Sequence, residues 1–329
     1  MIRINIFGKE IKNMSRVTVF MPVFNTERFI KEAVDSILGQ TYKDFDLLII
    51  DDGSTDNSFN LLKKYKDKRI RLYANEKNIG LTETRNRGFK LCDTEFIAFM
   101  DSDDIAPLER LEKEVSYLDK HPEIDGVGGY TQEIDEDGNI INKGIYPLNL
   151  NPDYIKACMI FENSFSNGSV MVRTKIIKEH QLDEMEKLPV MTDYLFYCKF
   201  LQYGKIANIN EILHKYRIVK KGLTQSTLLP EKKEIRNKIS DYIHNYIYNS
   251  YGFEFPEEQK AVLLKCFRED GHSDNIKELK LLYIALQNMA KQAENKRLPE
   301  SSMIKTACRK QFGKQVAKSM WLWEDKKIK

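Results

Sequence analysis

Apolar and polar positions alternate with two periods along the first hundred residues. Residues 16–21 (RVTVFM) form a short β-rich run, and Pro22, with no N–H to donate, is expected to end its ladder. Phe29, Ile30, Ala33, Val34, Ile37 and Leu38 then recur on one helical face. Residues 45–50 read as a second buried strand. Ser54 or Thr55 is placed to cap a helix carrying Phe59, Leu61 and Leu62. A strand at 70–74, a helix at 82–91 and a strand at 95–100 follow. Strand–helix–strand repetition with short links predicts an α/β fold, doubly wound around a mostly parallel sheet.

The pattern changes after Asp104. Pro107 opens a helix running to about His121, residues 125–133 read as a strand, and residues 135–139 (DEDGN) have the turn chemistry of a hairpin leading into 140–146. Residues 164–172 are a further strand candidate, 193–203 have helical period, and 211–219 are mixed. From about Leu229 long helix-forming stretches replace the alternation, broken near 252–256 and at Pro299. This divides the chain into an N-terminal extension (1–15), an α/β domain (16–228) and a helical C-terminal region (229–329). Met14 is an alternative start. Charge divides at nearly the same place: the chain from Pro230 onward carries +6 and the remainder −3.

Composition narrows the classes. At 42% hydrophobic and 31% charged, the 329 residues can bury a core, which excludes a disordered chain. A net charge of +3 does not favour a nucleic-acid partner. No apolar run approaches the roughly 18 residues a membrane span needs, and residues 1–13 lack the pattern of a signal peptide. Cys92, Cys158, Cys198, Cys266 and Cys308 are odd in number and scattered, without a CxxC pair. They read as small hydrophobes, and a reducing, cytoplasmic location is expected.

In an open parallel sheet, ligands bind beyond the carboxyl ends of the strands, near the point where strand order reverses. Four polar features directly follow predicted strands: 22–25 (PVFN), 51–56 (DDGSTD), 78–80 (NIG) with Arg85 and Asn86, and 101–104 (DSDD). A single acidic turn needs no ligand, since Asp, Gly and Ser favour turns. Four such features on one edge point to a site. Asp101, Asp103 and Asp104 would repel one another unless a cation or a donor-rich ligand shares the site. A hard divalent ion completed by phosphate oxygens fits. The chain has no GxxxxGK[ST] and no GxGxxG after its first strand, so neither a P-loop nor a dinucleotide site is supported. A metal-chelated diphosphate without a glycine loop suggests a nucleotide-sugar.

The run VTVFMPVFN, then DDGSTD, NIGLTETRNRG and FMDSDD, in this order and spacing, resembles the inverting family 2 glycosyltransferases of GT-A fold, over about residues 16–225. The resemblance implies roles position by position. Pro22 and Phe24 would pack against the base, Asp52 would accept from the uracil N–H, and Arg85 would lie near base and diphosphate. Asp101 and Asp103 would form the DxD-type pair, Asp101 near the ribose and Asp103 on a metal, Mn²⁺ or Mg²⁺. The ion would neutralise charge developing on the departing nucleoside diphosphate. An inverting transfer also needs a base for the acceptor hydroxyl. The family's Glu-Asp pair falls on Thr192 and Asp193, which makes Asp193 the candidate base, with a helix cap as its competing role. The family's Tyr-Arg-x-His reads Tyr216, Arg217, Ile218, Val219, so no imidazole stands at the last position. His214 is expected to be structural, and Arg217 either approaches the diphosphate or pairs with an acidic edge.

The expected activity is therefore a metal-dependent, hexosyltransferase-type transfer with inversion. A sugar moves from a nucleotide-sugar, expected to be a UDP-sugar, to an acceptor hydroxyl in a surface polysaccharide or lipid-linked glycan. The rival is a non-catalytic nucleotide-sugar binding protein, kept open by Thr192 and Val219. A nucleotidyltransferase is disfavoured by the missing glycine- and lysine-bearing loop. Donor sugar, acceptor and oligomeric state are not legible. In the C-terminal region Ile304, Ala307, Cys308, Phe312, Val316 and Trp323 can line one helical face, with Lys305, Arg309, Lys310, Lys314 and Lys318 on much of the rest. Such a helix either lies on an anionic membrane, at the inner face of the cytoplasmic membrane, or docks on the catalytic domain.

Overall fold

The computed structural model describes residues 2–3, 15–141, 150–183, 185–220, 222, 228–268 and 270–328. The chain forms two compact units, one of Met1–Leu150 with Phe165–Gln225 and one of Asn151–Ser164 with Ser226–Lys329. In chain order the elements are β1 (Ile2–Arg3), β2 (Val17–Val23), α1 (Ile30–Leu38), β3 (Phe45–Asp51), α2 (Ser58–Leu62), β4 (Ile70–Ala74), α3 (Leu81–Leu91), β5 (Phe96–Phe99), α4 (Arg110–Lys120) and β6 (Gly126–Ile134). They continue with α5 (Pro152–Cys158), β7 (Met171–Arg173), α6 (Thr174–Glu179), α7 (Thr192–Phe200) and β8 (Ile206–Arg217), then α8 (Lys233–Ser250), α9 (Glu257–Phe267), α10 (Ile276–Asn295) and α11 (Ser301–Ile328).

Among the described residues the first unit holds one sheet in the order β1-β4-β3-β2-β5-β7-β6-β8. The pairs β4·β3, β3·β2, β2·β5 and β6·β8 are parallel, while β1 and β7 run against their neighbours. β2 and β3 read as nearly continuous apolar runs because both sheet faces are covered. Val17, Val19, Met21, Leu47 and Ile49 pack with α1 residues Ile30, Ala33, Val34 and Ile37 in one buried cluster. Truncating one of them, such as Ile49→Ala, should cost about 2–5 kcal/mol. Phe20, Phe89, Phe99, Phe196 and Tyr197 form a chain of ring contacts that joins α3 and α7 to the sheet. Gly88 lets α3 approach this closely, since a Cβ there would lie 2.4 Å from the Phe20 ring.

Several local expectations are revised. Pro22 does not end its ladder: it is in register with Ile50, and β2 runs on to Val23. Val23 accepts from Asp52 N–H on the β3 side and Phe20 from Met100 N–H on the β5 side, so Pro22 faces β5, where pairing has already stopped at Phe20. Ser54 and Thr55 cap no helix; α2 begins at Ser58, behind Asn57. Residues 164–172 hold a short 3₁₀ turn, Asn167–Ser169, and only the start of β7, and the mixed stretch at 211–219 belongs to the long strand β8 as far as Arg217. The DEDGN turn forms around Asp135, with Ile134 bridging Ile140; residues 142–149, like most of the N-terminal extension, lie outside the described residues.

The second unit is helical, and α5 belongs to it. Ile304, Ala307 and Cys308 of the C-terminal stripe are buried in this unit, and the Trp323 indole donates to Ser273 O. All five cysteines are buried, and none of them forms a disulfide. No described helix is long and apolar enough to cross a membrane.

Candidate functional site

Strand order reverses between β2 and β5: the chain steps outward through β3 and β4, then returns to the other side of β2. The loops after β2 and β5 therefore flank the crevice where an open parallel sheet takes its ligand. They are tied together by Thr26 Oγ1 donating to Ser102 Oγ at 3.2 Å. The β2 loop is also laced to the β3 loop. Asn25, at φ 53°, accepts from Thr55 N–H at 2.8 Å and donates its own N–H to Ser54 Oγ, while Glu27 N–H bonds Asp56. Pro22 is half-buried on this edge and the Phe24 ring is 43% exposed, free to cover a planar group.

Asp51 ends β3, Asp52 follows it, and both are buried. Asp52 is a clamp. Its Oδ1 accepts from Asn75 Nδ2 at 2.7 Å and Ile79 N–H at 3.0 Å, and its Oδ2 from Gly80 N–H at 2.9 Å. A carboxylate oxygen takes about two donors, so Oδ2 retains room for one more. Asp51 Oδ2 accepts from Ser54 N–H, its buried Oδ1 has no partner, and burial raises its carboxyl above the ordinary range. Gly53 makes the turn possible: its φ is +69°, and a Cβ would come within 2.6 Å of the Lys77 backbone. Asn75, which also donates to Thr84 and accepts from Arg87, was not singled out from the sequence. Its position just past a strand was the available signal.

The three aspartates after β5 divide by environment. Asp104 is fully buried, accepting from Arg217 N–H at 2.7 Å and bonded to His214 Nε2 at 2.7 Å. Burial and the Asp101 charge push Asp104 up, while burial drives His214 down to about 4. His214 is thus structural, as expected. Arg217 is structural too: its guanidinium bonds the carbonyls of Asp103, Asp135 and Glu136, ion-pairs with Glu32 and lies over Phe29. Asp101 keeps 33% of its side chain exposed. Asp103 is half-buried, and burial with the charges of Asp104 and Asp101 raises its carboxyl to about 7.

α3 joins this edge to α7. Arg85 is buried; it donates to Thr192 Oγ1 at 2.8 Å and stands 3.8 Å from Asp101. Asn86 exchanges two hydrogen bonds with the Met185 backbone, and Thr82 donates to Leu188 O. α3 thereby fixes the segment leading into α7. Met191, at φ 58°, is the residue before the helix, so Asp193 lies in the first turn rather than at the cap. The Asp193, Arg85 and Asp101 charges all act on the buried Tyr197 hydroxyl. The structure thus gathers Arg85, Asp101 and Asp193 around α3 and α7, with Asp103 two residues away. Pro22, Phe24 and Asp52 line the neighbouring edge.

Among the described residues no group of three or more His, Cys, Asp or Glu side chains is placed to hold a metal. Among the described residues of this edge, Asp101 and Asp103 are the carboxylates left without a clamp, and Val219 adds no ligand. Oxygen-only donors, few in number and crowded with like charge, suit a hard divalent ion that takes its remaining ligands from phosphate and water.

A mostly parallel sheet with helices on both faces, an acidic pair at its switch point and a helical appendage define a GT-A nucleotide-sugar transferase fold. The described chain has this fold in common with Staphylococcus aureus TarS crystallised with UDP-GlcNAc, at TM-score 0.60 and 19% identity over 91% of this chain and 92% of that one. The Glycosyl transferase family 2 profile matches residues 18–180. A Haemophilus influenzae protein named only as an uncharacterized glycosyltransferase is 30% identical over 82% of this chain and 85% of its own. Escherichia coli WfgD, a UDP-Glc:alpha-D-GlcNAc-diphosphoundecaprenol beta-1,3-glucosyltransferase, is 28% identical over 71% of this chain and 89% of its own. The chain belongs to glycosyltransferase family 2.

Proposed function

We propose that this glycosyltransferase moves a sugar from a UDP-sugar to an acceptor hydroxyl with inversion, in the synthesis of a lipid-linked or surface glycan. The observation that carries the reading is the Arg85 bridge. One buried guanidinium touches Thr192, next to the candidate base Asp193, and approaches Asp101 of the acidic pair. Donor edge and base are therefore built as one unit. The Glu-to-Thr departure at 192 does not leave a gap, because the Thr hydroxyl takes the Arg85 N–H. The UDP reading draws on WfgD and on TarS with its bound UDP-GlcNAc, and the lipid-linked acceptor on WfgD alone.

In this reading Phe24 and Pro22 cover the base, and Asp52 or the unpaired Asp51 Oδ1 accepts its N–H. Asp101 lies near the ribose, and Asp103 would hold a Mn²⁺ or Mg²⁺ ion, which would neutralise charge on the leaving diphosphate. Asp193 takes the proton from the acceptor hydroxyl as it attacks. The test is UDP release from a panel of UDP-sugars with Mn²⁺, comparing wild type, Asp103→Ala and Asp193→Ala. Slow hydrolysis of one donor, lost in the Asp103 variant, is expected and would name the sugar. Metal-dependent UDP binding by calorimetry, without release from any donor or transfer to any glycan acceptor, would favour a binding protein instead.

A further inference from the structure

The helical unit carries an apolar groove of about 360 Å³ lined by Ile276, Leu279, Lys280, Tyr283, Ile284 and Phe312. It runs between α10 and α11, which meet through the Tyr283 and Phe312 rings, 5.2 Å apart. Ile276, Tyr283 and Ile284 are 62%, 48% and 51% exposed, an unusual concentration of large apolar side chains on one helix face. The amphipathic stripe expected from the sequence is divided by the structure. Ile304, Ala307 and Cys308 are buried inside the unit, whereas Phe312 of the same stripe is half-buried and lines this groove.

Charge indicates what covers the groove. By helical period Lys277, Lys280 and Lys291 share the exposed face of Ile276, Tyr283 and Ile284, and Arg309 lies one turn before Phe312. Residues 279–292 and 301–323 contain no Asp or Glu. The acids nearest along the chain are already matched: Asp274 and Glu278 both pair with Lys265, and Glu294 pairs with Lys305. A second copy of the same face is a poor occupant, because two-fold pairing would set these lysines against themselves. Large apolar side chains interleaved with lysines suit a surface that is anionic outside and apolar beneath.

We infer that the α10–α11 face docks on an anionic phospholipid bilayer, with Ile276, Tyr283 and Ile284 entering the headgroup boundary and Lys277, Lys280 and Lys291 meeting lipid phosphates. No step of the transfer reaction enters this inference, so it stands or falls apart from the function proposed above. The test is flotation of the full chain with phosphatidylcholine vesicles, with and without a minority of phosphatidylglycerol, alongside UDP release in solution without vesicles. Binding to the anionic vesicles is expected to exceed binding to neutral ones by about tenfold or more and to fall in about 0.5 M NaCl. Replacing Lys277, Lys280 and Lys291 together by Gln should weaken it by about tenfold or more. The pair Ile276→Ser and Ile284→Ser should weaken it as well, with UDP release unchanged in both variants. Equal binding to neutral and anionic vesicles, wild-type binding by both variants, or absence of binding would overturn the inference. So would a dimer in sedimentation velocity that the Ile→Ser pair abolishes, since that would make a second copy the occupant.

Discussion

The acidic turns after β3 and β5 look alike as sequence, DDGSTD and DSDD, yet they hold carboxylates of two kinds. Asp52 and Asp104 are buried and spoken for. Two backbone N–H groups and the Asn75 amide converge on the first, and Arg217 N–H with His214 on the second. Asp101 is a third exposed, and Asp103 is destabilised as an anion by burial and by its neighbours. The difference lies in whether donors from other elements reach the carboxylate. A clamp shapes the site, while a carboxylate without such donors is left to meet a cation.

The sharpest way to break this division is to replace one member of each kind. Asp103→Ala and Asp193→Ala should each abolish measurable transfer, the base alone accounting for about 10²–10⁴-fold. Both variants should keep near wild-type unfolding midpoints, and UDP binding should weaken chiefly in the Asp103 variant. Asp52→Ala should differ from both in what it does to folding. It strands three donors around a buried cavity and should cost about 3–5 kcal/mol in urea unfolding. A stable Asp52→Ala protein with a normal urea midpoint would show that the clamp is no clamp.

Most of the fold was legible because its signals are local and repeated. Apolar runs at β2, β3 and β4, helical spacing in α1 and the turn at Asp135 each follow from a few neighbouring residues. What was not legible depends on partners distant in sequence. Pro22 stays within its strand because β5 has already ended, which no feature of residues 16–22 can reveal. The stretch at 164–172 is apolar enough for a strand, yet only Met171–Arg173 finds a partner. The same limit holds at the site. Its acidic residues could be picked out, but not which of them Asn75, His214 or Arg217 would claim. The buried stripe of α11 and the exposed face of α10 were likewise indistinguishable by period alone.

The Arg85 bridge sharpens the comparison at an intermediate scale. Thr192→Val keeps the shape of the side chain but removes the oxygen that accepts from Arg85. If that bond orients α7, kcat should fall by roughly 10–100-fold while KM for the donor changes little. A larger rise in donor KM than loss in kcat would place Arg85 on the nucleotide rather than on the base.

Glu114 lies between the two kinds and carries the smallest effect. It is fully buried beside Arg110, whose Nε donates to Oε1 at 3.1 Å, while Oε2 has no partner. Arg110 also holds Phe99 O at the end of β5, directly before the acidic turn. Burial outweighs the Arg110 charge and lifts the Glu114 carboxyl to about 7. Because this lies above the ordinary value of 4.5, the folded state binds a proton more tightly than the unfolded state. Its contribution to stability is full below about pH 4.5 and is lost as pH rises towards 7. Glu114→Gln cannot titrate, yet it still offers an oxygen to Arg110. The variant should nearly match wild type at pH 5, where Glu114 itself holds a proton, and its thermal midpoint should fall less between pH 5 and pH 7 than that of wild type. Asp51, Asp103 and Asp104 are raised as well and leave a residual slope in both proteins. Equal slopes would mean that Glu114 is ionised throughout this range, and that a single guanidinium suffices to make a half-satisfied buried carboxylate behave as a clamp.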